Sequence, residues 1–424
     1  MQRIVRPTIA VVVSQHAEES AALRHVRSVL VRAPHVRLHQ LRRLDDRIAA
    51  HLDGLAVAGA DGWKLAVAAL ESPGAGEVFA ATVLALQGGN LAALDRLLAL
   101  AEAHRPGASG LVSAFGWAPA QSLKSTVAAL LASSSAFRRQ AGLAACAMHR
   151  VDPGAALDAA LTDADPSLRA RALRVAGEAG RPDRLRACLA ALEVDEDAAC
   201  AFHAARSALL LGDRDAALKA LRASALSPGP HRAAALRLFL MTASPPQSHA
   251  VLRALAQEPA HVRLLIQGIG AAGDPHYVPW LIRQMEDPQL ARLAGESFSL
   301  ITGLDLAYLD LEVKPPEGVD FGPSDDPEDD DVAMDQDDSL PWPDPVKLAA
   351  WWQANGPRLA AGERRFMGEP PTPGHGLQVL KDGFQRQRID AALQLCLLRP
   401  GTPLFSTAAP SWRQKRWLDE LPGA

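Results

Sequence analysis

LLIQGIGAAGDP, Leu264 to Pro275, sets Gly268, Gly270 and Gly273 in the spacing G-x-G-x-x-G directly behind an apolar run. Two readings compete for it. A dinucleotide-binding turn needs a strand before the glycines, a helix opening on the third, and an acid about 20 residues further on within a βαβ unit. A helical reading needs only that Gly270 lie inside a helix, where a missing side chain permits close packing. Gly273 would then end that helix in the left-handed conformation that glycine adopts cheaply. The surrounding sequence decides between them.

DPSLRARALRVAGEAGRPD, Asp165 to Asp183, has a similar outline: a turn with Pro166, an Arg-bearing amphipathic run and a stop at Gly180. It returns in SSAFRRQAGLAACAMHRVDPG, EDAACAFHAARSALLLGDRD, SPGPHRAAALRLFLMTASPP, EPAHVRLLIQGIGAAGDP and DPQLARLAGESFSLITG. Ends fall near His149, Gly180, Gly212, Ala243, Gly273 and Thr302, about 31 residues apart, a period of the kind helical repeats have. Two weaker copies end near Gly88 and Ala118, which makes eight units. Each has room for two helices of about a dozen residues, the first represented by segments such as DRLRACLAAL and YVPWLIRQM. Leu168, Ala172, Val175 and Ala176 recur at helical spacing while Arg169, Arg171 and Arg174 take other faces. A hairpin of this kind cannot bury its apolar stripe alone, so neighbours must stack on it. In that register Gly273 takes the place of Gly180 and Gly212, and Gly270 that of Gly177. The opening stretch is therefore expected to end a helix rather than to hold a phosphate.

The outline resembles HEAT-like repeats of the short type also found in phycobilin lyases, in which Asp-Pro opens the unit, Arg follows and Gly-Asp-Pro closes it. Asp165, Pro166 and Arg169 match it, as do Glu258, Pro259 and Arg263, and Asp287, Pro288 and Arg292; the unit from Asp195 has Ala201 and Phe202 where Arg is expected. More narrowly, AHLDGLAVAGADGWKLAVAAL, GEVFAATVLAL, LAGESFSLITGLDL, SLPWPDP, DGFQRQRIDAALQL and PGTPLF are similar to an uncharacterised bacterial HEAT-like family often encoded beside type VI secretion genes. That resemblance implies an accessory or adaptor role and brings no catalytic residues.

Composition agrees with a helical chain. The 424 residues are 48% hydrophobic, rich in Ala and Leu, with only two tyrosines; unbranched side chains of this kind favour helix over sheet. Cys146, Cys188, Cys200 and Cys396 lack C-x-x-C spacing, which argues against a disulfide framework or thiolate metal site and fits a reducing compartment. No apolar run reaches the roughly 18 residues a membrane span needs, and TIAVVV near the start is too brief for a signal-peptide core. A cytoplasmic location is expected.

Charge is unevenly placed. Residues 305–344 hold fifteen of the 48 acids and one of the 44 bases, leaving 33 acids and 43 bases elsewhere. The run DDPEDDDVAMDQDD, Asp325 to Asp338, is no EF-hand loop, because Leu340 stands where a loop starting at Asp335 needs glycine. It reads as a solvated linker, with one further expectation: that it packs against arginines of the basic body and competes there with an acidic partner. Arg138, Arg139, Arg169, Arg171, Arg232, Arg263 and Arg292, all from the second helices, are the candidate partner-binding residues. They could instead pair with the loop acids Asp165, Glu258 and Asp287.

His35 and His39, one helical turn apart, with Asp45, Asp46 and His51 beyond, have metal-ligand spacing, but Leu38, Leu41, Leu44, Ile48 and Leu52 explain the segment as an amphipathic helix. Five of the eight tryptophans, Trp342, Trp351, Trp352, Trp412 and Trp417, crowd the C-terminal part, as a cap filling its interior would require. No G-x-S-x-G elbow, Walker loop or zinc signature is present.

The expectation is thus an all-α chain: an N-terminal helical region (1–60), a HEAT-like α-solenoid of hairpin repeats (61–304), an acidic Pro-rich linker (305–345) and a C-terminal helical cap (346–424). Its expected function is that of a non-catalytic protein-binding scaffold or adaptor, with a protein partner such as a type VI secretion component or effector, and with no cofactor, metal or membrane. The alternatives are a nucleic-acid-binding HEAT-like protein related to DNA glycosylases and a phycobilin lyase-like enzyme.

Overall fold

The computed structural model describes residues 8–319, 321–322 and 334–421. The chain clusters into two compact units, the first comprising Met1–Ala187, Lys381–Ile389 and Gly401–Ala424, the second Cys188–Leu380 and Asp390–Pro400. Among the described residues the regular structure is helical, with no strand and two isolated bridges, Glu312 to Pro343 and Phe366 to Glu369.

The first unit contains α1 (Ala10–Leu30), α2 (Leu38–Val57), α3 (Ala60–Ala68), α4 (Ala75–Gln87), α5 (Leu91–Ala103), α6 (Arg105–Trp117), α7 (Ala120–Leu131), α8 (Ala136–His149), α9 (Ala155–Leu161) and α10 (Pro166–Glu178). After α11 (Leu185–Val194), the second unit holds α12 (Ala198–Leu210), α13 (Ala216–Leu226), α14 (Arg232–Leu240), α15 (Pro245–Leu255), α16 (Val262–Ala272), α17 (Val278–Gln284), α18 (Ala291–Thr302) and α19 (Pro345–Asn355). The chain continues through α20 (Pro373–Asp382) and α21 (Gln385–Leu398) to α22 (Ser411–Asp419), which belongs to the first unit.

Local chemistry accounts for the helix ends. Asp165 accepts a hydrogen bond from the Leu168 N–H at 2.8 Å with Pro166 in the first turn; Asp197 caps α12 and Asp344 caps α19 in the same way. A carboxylate there answers helix N–H groups that have no partner within the helix, and proline removes a donor that would have been left over. Alternate helices pack on one another: α4 on α6, α6 on α8 and α8 on α10 in the first unit; α12 on α14, α14 on α16 and α16 on α18 in the second. Leu168, Ala172, Val175 and Ala176 are buried as their spacing predicts, and Ala170 and Leu173 are buried with them, because α10 has neighbours on more than one side.

The stretch 264–275 forms α16 and its end. Gly270 lies inside the helix, where a Cβ would stand 2.9 Å from Ser297 Oγ of α18. Gly273 ends the helix at φ +69°. It has a second task that spacing does not disclose: the Arg365 N–H donates to the Gly273 carbonyl at 2.7 Å, and a Cβ on Gly273 would collide with the Arg365 carbonyl oxygen. At the end of α18, Gly303 (φ +77°) meets Met367 likewise, while Met367 and Gly368 donate to the carbonyls of Leu300 and Ile301. Arg364 spans these helix ends, donating to the carbonyls of Leu240, Met241, Ala243 and Ala272. In the first unit Gly180 (φ +62°) lies against Gly401, Leu404 N–H donates to Glu178 O, and Arg413 donates to Gly116 O at 2.7 Å and Met148 O at 3.4 Å. Within each unit, later residues thus satisfy carbonyls that the helices leave without partners.

The tryptophans follow these paths. Trp412 packs edge-on to Trp117 and Trp417 to Phe405 in the first unit, whereas Trp351 meets Phe298 of α18 in the second.

Candidate functional site

The candidate partner-binding arginines fall into two sets, one in each unit. In the first unit Arg138 pairs with Asp95 at 2.6 Å and Arg139 with Asp163 at 2.5 Å, while Arg169 donates to the carbonyls of Asp163 and Ala164. Asp163 thus gathers Arg139 on its carboxylate and Arg169 on its backbone. Its carboxyl lies below the usual range because it accepts the Asp165 N–H and, next, the Arg139 hydrogen bond. Arg171 sits on α10, partly buried; desolvation, then the charge of Arg174, lowers its pKa. Asp95 and Asp163 pair with Arg138 and Arg139, while Asp165 caps its own helix.

In the second unit Arg232 holds His261, with Nη1 2.9 Å from Nε2, and donates to Ala225 O. Arg263 and Arg292, from α16 and α18, are brought together by the end of the acidic segment. Arg292 makes a two-pronged pair with Asp335, Nη1 to Oδ2 at 2.7 Å and Nη2 to Oδ1 at 3.0 Å, and donates from Nη1 to Asp337 O at 3.1 Å. Arg263 donates to Asp337 Oδ1 at 2.7 Å and to Gln289 O at 2.8 Å. The Asp337 N–H closes the turn on Asp335 Oδ1 at 2.9 Å. Two aromatic rings, Phe321 and Trp342, each lie 4.8 Å from the Arg292 guanidinium carbon, with their centroids 6.1 Å apart. A planar guanidinium suits this use: its edge forks onto a carboxylate and its faces stack on rings.

Burial of the arginine separates this clasp from the Arg139–Asp163 pair, whose acid is exposed to the same extent. The side chains of Arg292 and Asp335 are 8% and 17% exposed, against 25% and 18% for Arg139 and Asp163. Burial acts to raise the Asp335 pKa, but the Arg292 hydrogen bonds, the Asp337 N–H and the charges of Arg292 and Arg263 outweigh it, and the carboxyl stays below its ordinary value. The arrangement reads the pattern acid-x-acid. One carboxylate takes the fork, a backbone carbonyl takes a second N–H, and the next carboxylate takes the arginine of the preceding Arg-bearing helix.

Of the expected acidic run, residues 325–333 lie outside the described residues. Asp335 and Asp337 were legible as acids next to a basic body; their pairing with Arg263 and Arg292 was not, and neither were the rings of Phe321 and Trp342. The only signal was the aromatic in SLPWPDP close behind the acids.

The histidine segment is corrected by the structure. α2 begins at Leu38, so His35 precedes the helix that carries His39 and the two do not share a helical turn. Asp45 is buried against Arg27 at 2.5 Å and His51 lies 3.1 Å from His16, Nδ1 to Nδ1. Among the described residues no group of three or more His, Cys, Asp or Glu could hold a metal ion. Burial pushes the Cys146 thiol up to about 11 and Cys188 to about 12, so neither supplies a thiolate nucleophile near neutral pH. Among the described residues no helix is long and apolar enough to cross a membrane. Comparison with family models, with curated proteins and with solved structures finds no match to this chain.

Proposed function

We propose that the chain is a HEAT-like α-solenoid that acts as a non-catalytic protein-binding scaffold, and that Arg263 and Arg292 receive an acid-x-acid segment of its partner. The observation that carries this reading is the clasp. Arginines from two successive Arg-bearing helices hold Asp335 and Asp337 of the chain itself, which supplies an example of the ligand chemistry they accept. The packing of α12, α14, α16 and α18 on one another supports a stacked repeat, the architecture that offers long flanks for macromolecular contact. In this reading the Asp335 to Asp337 turn is a competitor in cis, and an acidic partner segment must displace it. Type VI secretion is the context we propose on the strength of the sequence resemblance, with a component or effector as partner. No observation favours the nucleic-acid alternative: Arg138, Arg139, Arg169, Arg263 and Arg292 are engaged with acids and carbonyls of the chain.

The test uses the full chain and a variant lacking Asp325 to Asp338. A labelled peptide with the sequence of residues 334–344 is titrated into both at low salt. The deletion variant is expected to bind at least tenfold more tightly than the full chain, and Arg292→Leu within the deletion variant to abolish binding. Equal affinity for full chain and deletion variant, or binding that survives Arg292→Leu, overturns the reading.

A further inference from the structure

A crevice of about 360 Å³ opens in the second unit between the start of α15 and the turn that follows α16. Its size falls within the range of small-ligand sites, roughly 300–1,000 Å³. Four of its lining side chains carry hydrogen-bonding capacity not used among the described residues. Ser248 is 4% exposed, and its Oγ has no hydrogen-bond partner among the described residues. A buried hydroxyl left in this state costs roughly 1–3 kcal/mol unless something else completes it. His249 places Nε2 3.0 Å from Asp274 Oδ2, so in the neutral ring the Nε2–H is committed and Nδ1 is left as an acceptor. Arg364 uses four of its five N–H groups on helix-end carbonyls, leaving one on Nη1. Tyr277 supplies a phenol whose pKa is raised by burial and then by the Asp274 charge, so it remains a donor.

The charge of the walls selects among ligand classes. Asp274 is an anion: burial opposes this, but the Gly362 N–H, His249 and the His276 N–H hold its pKa down. Arg364 is the opposing cation, and the two roughly cancel. The helix end adds little attraction for an anion, because Pro245 and Pro246 have no N–H and the Gln247 N–H is answered by Ser244. A ligand of either sign would meet one repelling group. What remains is an acceptor at His249, donors at Ser248 and Arg364, and a wall of stacked rings in which His249 lies 5.5 Å from His276 and 5.3 Å from Tyr277. One planar head that both donates and accepts satisfies all three.

Catalysis is a poorer reading of the same residues. Ser248 Oγ has no hydrogen bond to His249 or to any other described residue, and a nucleophile needs its base within hydrogen-bond reach. We propose that the crevice binds a small neutral molecule with a primary amide or lactam group on a flat apolar body, its N–H on His249 Nδ1 and its C=O between Ser248 and Arg364.

Three isosteric probes test this on the full chain: benzamide, benzoate and benzamidinium, titrated at neutral pH and followed by ligand-observed NMR. Benzamide is expected to saturate, and the two charged probes to bind at least tenfold more weakly. Ser248→Ala, checked for an unchanged melting temperature, is expected to weaken benzamide by about two- to tenfold, the worth of one hydrogen bond, and Tyr277→Phe, which keeps the ring wall, to leave it unchanged. The ¹⁵N resonance of His249 Nδ1 should shift with benzamide alone. Either charged probe binding as tightly as benzamide, no benzamide binding up to its solubility, or an affinity untouched by Ser248→Ala overturns the proposal.

Discussion

Arg139 in the first unit and Arg292 in the second both rise from the first turn of an Arg-bearing helix, yet they have different fates. Arg139 meets Asp163, in the turn that opens α10, and both side chains keep contact with water. Arg292 meets Asp335, 43 positions further on, in a buried setting closed by Phe321 and Trp342. The first is a local pair between α8 and the turn before α10, of a kind worth little because water and salt screen it. In the second the guanidinium is the group that has lost hydration, at 8% exposed against 25% for Arg139, while the two acids are exposed alike, so the arginine depends on its carboxylate and rings. The same residue in the same sequence context gives a solvated contact or a buried clasp according to where the acid comes from.

The comparison breaks most visibly at Arg292. Arg292→Leu takes its donors from the half-buried Asp335 and from the Asp337 carbonyl and should cost about 1–3 kcal/mol, read as a lower urea midpoint and faster amide exchange in α18. If the loss equals that of Arg139→Leu, the distinction between the two sites fails. Gly303→Ala alters a long-range contact without touching charge. A side chain at φ +77° against Met367 should cost about 1–3 kcal/mol, whereas Gly229→Ala, with open space around it, should leave the melting temperature almost unchanged. Arg139→Leu should cost less than about 1 kcal/mol, and 1 M salt should erase most of that difference.

Acid sharpens the contrast further. Asp335 and Asp163 both have folded pKa values below the ordinary one. Their contribution is therefore present above the unfolded value, about 3.9, and is lost only as pH falls through the lowered folded value. Between pH 5 and 7 the stability gap between the native chain and Asp335→Asn should stay constant, and it should close below about pH 4. A smaller gap should close in the same direction for Asp163→Asn. A gap that closes near neutral pH would mean that another group sets the clasp.

Much of the helical framework was legible beforehand. Gly273 as a helix end, Gly270 as a packing position, and the buried stripe Leu168, Ala172, Val175 and Ala176 all follow from spacing and conformational preference within one turn or one helix. The acid and base imbalance around residues 305–344 was equally visible. Spacing misplaced His35, because α2 starts at Leu38 and nothing in an i, i+4 interval says where a helix begins. Arg364 carried no signal either, since the irregular stretch around it has no periodicity and its partners are carbonyls, which every residue has. Ser248, His249 and Asp274 looked like ordinary helix and turn residues.

By itself, then, the amino-acid order determined that this chain is helical, where many of its helices stop and which side chains turn inward, because those outcomes depend on hydrogen bonds and contacts among residues a few positions apart. Only the tertiary structure decided which arginines meet distant acids, which glycines must also admit a second backbone, and which hydroxyl is left unanswered beside an open crevice. Such pairings depend on the route the chain takes over tens of residues, and a carboxylate or a carbonyl reads the same in sequence whether it faces water or a buried guanidinium.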